Sequence, residues 1–203
     1  MNQKLIWNFE CSTTKESTPN LSDSRGKDDL KWEVRFFWPE DQVITIHLFD
    51  NSLLDISLYE HKHREDEYYI FPNEPINIKR RRNKLLYKPI VKHSGNAIGF
   101  GSKINLEALP EKLSNKSHLN DILRQIKSHP HIIHVKKEAY IYKLPTSPGI
   151  KLELARLQVS DQVYTSICIE GRSLKLVETI SEYLLGQYVS CDYVTFLKKI
   201  MKS

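Results

Sequence analysis

An α+β fold, with antiparallel strands closed into a barrel or tunnel of about eight strands and helices packed outside, is what this 203-residue sequence predicts. Three observations predict it. Several segments alternate apolar and charged residues with the period of a strand, so each has one face for a core and one for a polar surface. Helical segments near 117–128 and 173–185 carry apolar faces that need an apolar sheet surface to cover. The polar strand faces hold cations and carboxylates at matching positions rather than scattered Thr, Ser and Gln, which suits an enclosed charged face better than one turned to bulk water.

The elements follow in chain order. "KLIWNF" reads as a short strand that docks on the domain, and residues 11–29, almost devoid of apolar side chains, read as a flexible linker. Residues 1–29 are therefore expected as an extension and residues 30–203 as the tunnel domain. "KWEVRFFW" alternates, with Trp32, Val34, Phe36 and Trp38 on the core face and Lys31, Glu33, Arg35 and Phe37 opposite. "QVITIHLFD", "LLDISLY" and "EYYIF" read as further short strands, and "INIKRRRNKLLYKP" as a hairpin. "KSHLNDILRQIKSHP" is a helix, with Ser117 as its cap, Leu119, Ile122, Leu123 and Ile126 on its apolar face, and Pro130 as its stop. "IIHVKKEAYIYKL" is a strand, "PTSPG" a turn, and "IKLELARLQV" with "QVYTSICIEG" a second hairpin. "RSLKLVETISEYLLG" is a helix ended by Gly186, and "SCDYVTFLKKIMKS" a last short one.

Composition bounds the function without choosing it. The net charge of +5 permits an anionic partner but does not demand one. No apolar run is long enough to span a bilayer, and the first residues lack the pattern of a signal peptide, so no membrane partner is expected. Three separated cysteines argue against a disulfide framework and for a reducing, cytoplasmic setting. "HKH" and "HPHIIH" match no compact zinc finger and read as surface histidines. Gly99-Phe100-Gly101 lacks the third glycine of a nucleotide fingerprint and reads as a turn. Cys168 reads as a small buried residue.

The hairpin of residues 76–89 holds six Lys and Arg. Its alternation puts Ile76 and Ile78 on one face and Asn77, Lys79 and Arg81 on the other. "KWEVR" at the start, this hairpin, "VKKEAY", "KLELARL", "SICIEG" and "CDYVTFL" follow one another in an order that resembles the CYTH family, the triphosphate tunnel metalloenzymes. The resemblance covers most of residues 30–201. It implies a tunnel in which Arg35, Lys79, Arg81, Lys88 and Lys137 grip a triphosphate, nucleotide or polyphosphate. It further implies Glu33, Glu153 and Glu170 as ligands of Mg²⁺ or Mn²⁺, which would polarise the phosphoryl group.

Four positions depart from the family pattern: Lys31, Asn77, Ala139 and Cys168 stand where it has an acid, an Arg, an Arg and an acid. Losing two acids and gaining a nearby cation weakens a metal site by simple Coulomb repulsion. Three functions stay open: a metal-dependent triphosphatase, a degenerate relative that binds a phosphorylated ligand with weak or no turnover, and a nucleic-acid or protein-partner module using the basic 79–88 hairpin. The sequence leaves the catalytic residues, the substrate and the oligomeric state undetermined.

Overall fold

The computed structural model describes residues 2–13, 19–23, 26–108, 117–127, 130–186 and 188–202. Within them the chain runs β1 (Gln3–Ile6), β2 (Phe9–Thr13), β3 (Lys31–Pro39), β4 (Ile44–Leu48), β5 (Glu60–Ile70), β6 (Ile78–Arg81) and β7 (Lys84–Tyr87). It continues through β8 (Ile90–Ser94), β9 (Ala97–Phe100), β10 (Ile104–Asn105), α1 (Ser117–Lys127), β11 (His131–Lys143), β12 (Ile150–Val159) and β13 (Gln162–Gly171). It ends with α2 (Leu174–Leu185) and α3 (Tyr193–Ile200).

Among the described residues, ten strands form one curled antiparallel sheet in the order β10-β7-β6-β5-β11-β12-β13-β3-β9-β8. The two ends of that ladder belong to one hairpin. β7 runs on into β8 and β9 into β10, so the base of the hairpin pairs with β6 while its far half pairs with β3. This curls the sheet around an interior and makes the barrel-like tunnel. The turn from β6 to β7 has Arg82 and Asn83 both at positive φ (49° and 58°), the backbone of a tight two-residue hairpin that Asn tolerates well. β9 passes so close to β3 that a Cβ on Gly99 would lie 2.9 Å from the Trp32 ring, which is why glycine stands there.

The strand phases decide which side chains face which way. Trp32, Val34, Phe36 and Trp38, with Leu152, Leu154, Ile167 and Ile169, form an outer core under α2, whose Leu176, Val177, Ile180 and Leu184 are buried. α2 is capped by Ser173, whose hydroxyl accepts from the Leu176 N–H, and it ends at Gly186 with φ 64°. Ile76, Ile78, Leu85 and Tyr87 pack outward under Leu119 and Ile122 of α1. α3 lies elsewhere. Its Val194, Phe196 and Leu197 pack on Tyr68, Val135, Ala139, Ala155 and Leu157, and the Phe196 ring stacks on Phe37 at 3.9 Å. These partners alternate with Asp66, Lys137, Glu153 and Arg35 on the inward face, so α3 fills one end of the interior.

Three expectations need correction. Part of the linker expected over residues 11–29 is built into the domain: Cys11 is buried in β2, β2 pairs in parallel with β4, and a small sheet of order β1-β2-β4 covers the outer core. Asp23 and Asp28 are also tied down, the first to the Ser173 hydroxyl at 2.7 Å and the second to the Trp32 indole at 2.8 Å. Residues 14–18 and 24–25 of that stretch lie outside the described residues. "LLDISLY" is two 3₁₀ turns instead of a strand, because Asp50 and Asp55 accept from the backbone N–H of Ser52 and Ser57 and start a turn each. The Gly99-Phe100-Gly101 stretch is mostly strand: Gly99 and Phe100 pair with Trp32 and Lys31 across β3.

Candidate functional site: a cationic tunnel

The inward faces of β3, β5, β6, β11, β12 and β13 surround a cavity of about 250 Å³. Every residue expected at the site lines it: Arg35, Lys79, Arg81, Lys88 and Lys137 among the cations, and Glu33, Glu153 and Glu170 among the acids. Lys31, Lys62, Arg64, Lys103 and Lys151 line it as well, which makes ten cations. The hairpin charge therefore divides. Lys79, Arg81 and Lys88 turn inward, while Arg80 turns out to Glu107 (2.8 Å) and Arg82 and Lys84 sit exposed at the tip.

Two ion-paired clusters organise the lumen. In the first, Glu33 accepts from Lys88 Nζ at 2.6 Å and from Arg35 Nε at 2.9 Å. Arg35 reaches on to Glu153 at 3.0 Å, and Lys137 Nζ donates to the same Glu153 oxygen at 2.9 Å. Aromatic faces back these cations: the Arg35 guanidinium lies 4.8 Å from the Tyr193 ring centroid and Lys88 Nζ 3.5 Å from that of Phe100. Burial alone would raise the Glu33 carboxyl, but Lys88 and Arg35 outweigh it and hold it well below the usual carboxylate range. Glu153 is held low in the same way, by Lys137 and Arg35 against burial.

The second cluster centres on Asp66, which takes a hydrogen-bonded fork from Arg81 and an ammonium from Lys79 at 3.0 Å. Burial pushes Lys79 down to about 7; Asp66 opposes that shift, and Arg81 and Lys137 add to it. Burial and the neighbouring Lys88, Lys31 and Arg81 lower Lys103 too. Against ten cations stand Glu33, Glu153, Glu170 and Asp66, so the lumen carries a clear positive surplus.

The sequence reading missed Asp66, Arg64 and Lys62. β5 is eleven residues long, and the short strand read at "EYYIF" extends back through "HKHRED" to put all three on the inward face. Tyr193 was missed for a different reason: nothing local says that α3 turns its ring into the lumen.

The acids do not suit a divalent ion as they stand. Glu33, Cys168 and Glu170 bring ligand atoms within 4.8 Å of one another. Glu33 is already held by two cations, and Glu170 by Lys31 at 2.7 Å. The third donor is a thiol that burial keeps protonated, a poor ligand for a hard cation such as Mg²⁺. Lys31 thus occupies the carboxylate that a metal would need.

The curled sheet and its cationic lumen define a tunnel-type α+β protein. No protein-family model matches this sequence, and no curated protein matches it. Among solved structures, a candidate adenylate cyclase of Bacillus halodurans is similar at 14% identity with a TM-score of 0.40, over 77% of this chain and 88% of that one. The PH1819 protein of Pyrococcus horikoshii is similar at 14% identity and a TM-score of 0.39, over 84% and 98%. The Pct1 RNA triphosphatase of S. pombe, solved with the Spt5 CTD, is similar at 9% and 0.34, over 85% and 80%. At these scores the similarity carries no functional inference.

Proposed function

We propose that this chain binds a triphosphate, free or as the end of a polyphosphate or organic triphosphate, in the tunnel and holds it with little or no hydrolysis. The observation that supports the reading is the inward excess of ten Lys and Arg over four carboxylates, most of them on the strands of the sheet. A triphosphate carries three to four negative charges, fewer than such a surplus can neutralise, and guanidinium groups add paired hydrogen bonds. Arg64, Lys103 and Lys151 are the natural first contacts. Among the described residues Lys103 and Lys151 form no ion pair, and Arg64 reaches Glu153 only at 3.9 Å. Lys79 and Arg81, which line the same cavity, would take the phosphate chain next by exchanging part of their contact with Asp66. A cavity of 250 Å³ is below the roughly 300–1,000 Å³ of sites that enclose a drug-sized ligand, so the phosphate chain fits and any organic group stays at the mouth.

Weak turnover follows from the acid side. Hydrolysis of a triphosphate draws on charge neutralisation and on a group that activates or positions water. Here the candidate acids Glu33, Glu153 and Glu170 are each engaged by a cation, and none is left to orient water or hold Mg²⁺ or Mn²⁺. Membership of the CYTH family, with a lost metal site, is the evolutionary form of the same proposal.

The test is calorimetry with tripolyphosphate at low and at moderate salt, in wild type and in Lys79→Ala and Arg81→Ala. One equivalent should bind, salt should weaken it, and both variants should weaken it further. No binding at low salt, or binding equal in all three proteins, would remove the tunnel from consideration as the anion site. Robust phosphate release by the wild type that Glu33→Gln abolishes would restore the metal-dependent triphosphatase.

A further inference from the structure

β5 is two-sided. Lys62 and Arg64 point into the lumen, so His61 and His63 point to the opposite, outer face of the same strand. The ladder with β11 sets Glu138 directly across from His63 and Tyr140 directly across from His61. Residues opposed across an antiparallel pair share a face, so two imidazoles and one carboxylate converge outside the tunnel. Their ligand atoms all lie within 4.8 Å of one another.

The cluster is already arranged. His61 Nε2 sits 2.9 Å from a Glu138 oxygen. The His61 ring lies on Tyr140 at 4.4 Å and 15°, which fixes its plane, and the His63 ring meets it edge-on at 4.6 Å. Arg156, the neighbour of Glu138 on β12, is turned away to Glu40 at 2.7 Å and does not take the carboxylate. A tetrahedral zinc ion with bonds of about 2.0–2.1 Å needs ligand atoms roughly 3.3 Å apart, within reach of small side-chain rotations from this geometry. The outward side is exposed, so the fourth position falls to water.

The geometry points to a site for a divalent transition-metal ion of the zinc class held by His61, His63 and Glu138. Imidazole nitrogen with one carboxylate favours Zn²⁺, Co²⁺, Ni²⁺ or Cu²⁺ over the hard cations Mg²⁺ and Ca²⁺. The histidine pair alone, spaced as on any exposed strand, did not reveal this. The third ligand is 75 residues away in sequence and arrives only through the β5–β11 register.

The experiment is a Zn²⁺ titration of the metal-free protein at pH 7.5 against a chromophoric chelator, repeated with Co²⁺ to read the visible bands of a tetrahedral site. The expected result is one equivalent bound at micromolar affinity or tighter, with excess Mg²⁺ unable to compete. His61→Ala and His63→Ala should each weaken it at least tenfold and Glu138→Gln less so, while His131→Ala leaves it unchanged. All three ligands are at least partly solvent-exposed, and circular dichroism of each variant checks that the fold is kept. Binding that survives His63→Ala, or that falls with His131→Ala instead, would overturn the assignment, as would the lack of any one-equivalent binding.

Discussion

Replacing Glu153 with Gln tests the lumen in two opposite directions at once. Glu153 is 7% exposed and accepts from Lys137 and Arg35 at 2.9 and 3.0 Å. Removing one partner of a buried ion pair leaves the others uncompensated and costs about 3–5 kcal/mol. The ligand-free variant should lose stability on that scale, read as a lower urea midpoint. The same change removes a charge that repels an entering anion. A phosphate about 6 Å from the carboxylate is repelled by about 3 kcal/mol at an effective dielectric constant near 20. Tripolyphosphate should therefore bind the variant more tightly, by up to about 100-fold. It should also recover part of the lost stability, since it supplies the missing negative charge. The assays are calorimetry and urea melts with and without tripolyphosphate. Weaker anion binding in Glu153→Gln would refute the reasoning, because it would mean that the carboxylate helps hold the ligand, as a metal ligand does. An unchanged urea midpoint would refute the buried pair.

Burial sets the Lys79 pKa at about 7 in the folded chain, below the ordinary lysine value of 10.5. A polyanion favours its charged form, so tripolyphosphate binding should take up a proton above pH 7 and weaken as pH rises, and Lys79→Arg should abolish the uptake; calorimetry in buffers of different ionisation enthalpy reads it. The unfolded chain holds that proton up to higher pH, so this residue's contribution makes stability rise with pH above about 7, a slope Lys79→Arg should flatten in melts. Lys31→Glu exchanges the partner of Glu170 for a second carboxylate and should raise Mn²⁺ affinity at least tenfold, measured by titration, with slow phosphate release becoming detectable. Leu197→Ala should cost about 2–5 kcal/mol in urea melts, because Leu197 is fully buried where α3 fills the interior.

What the sequence made legible is what alternation encodes. The phase of the 76–89 hairpin, the apolar stripe of β3 and the charged faces of β12 and β13 could all be assigned because a one-residue slip would bury the wrong set. What escaped depends on pairings between distant segments or on choices that local pattern leaves open. β2 joins β4 across more than 30 residues, and its buried Cys11 looks polar in company with Ser and Thr. α3 has an ordinary apolar face, and such a face does not say whether it covers the outside of a sheet or fills its inside. Glu33, Glu153 and Glu170 could be placed on inward faces by their period. Most of the pairings between these acids and the lumen cations could not, since Lys88 and Glu33 are 55 residues apart and meet only when the sheet curls.

The hairpin that joins the two ends of the ladder works as a clasp. β9 is fastened to β3 over three residues, and the Lys88–Glu33 contact at 2.6 Å is the pin. β12 and β13 are joined over ten residue pairs and β5 and β11 over eleven. The ring is thus closed at two short seams, β3–β9 and β5–β6, each of three residue pairs, and the first carries an ion pair beside it. An anion that paired with Lys88 would compete with Glu33 for the ion pair that stands beside that seam.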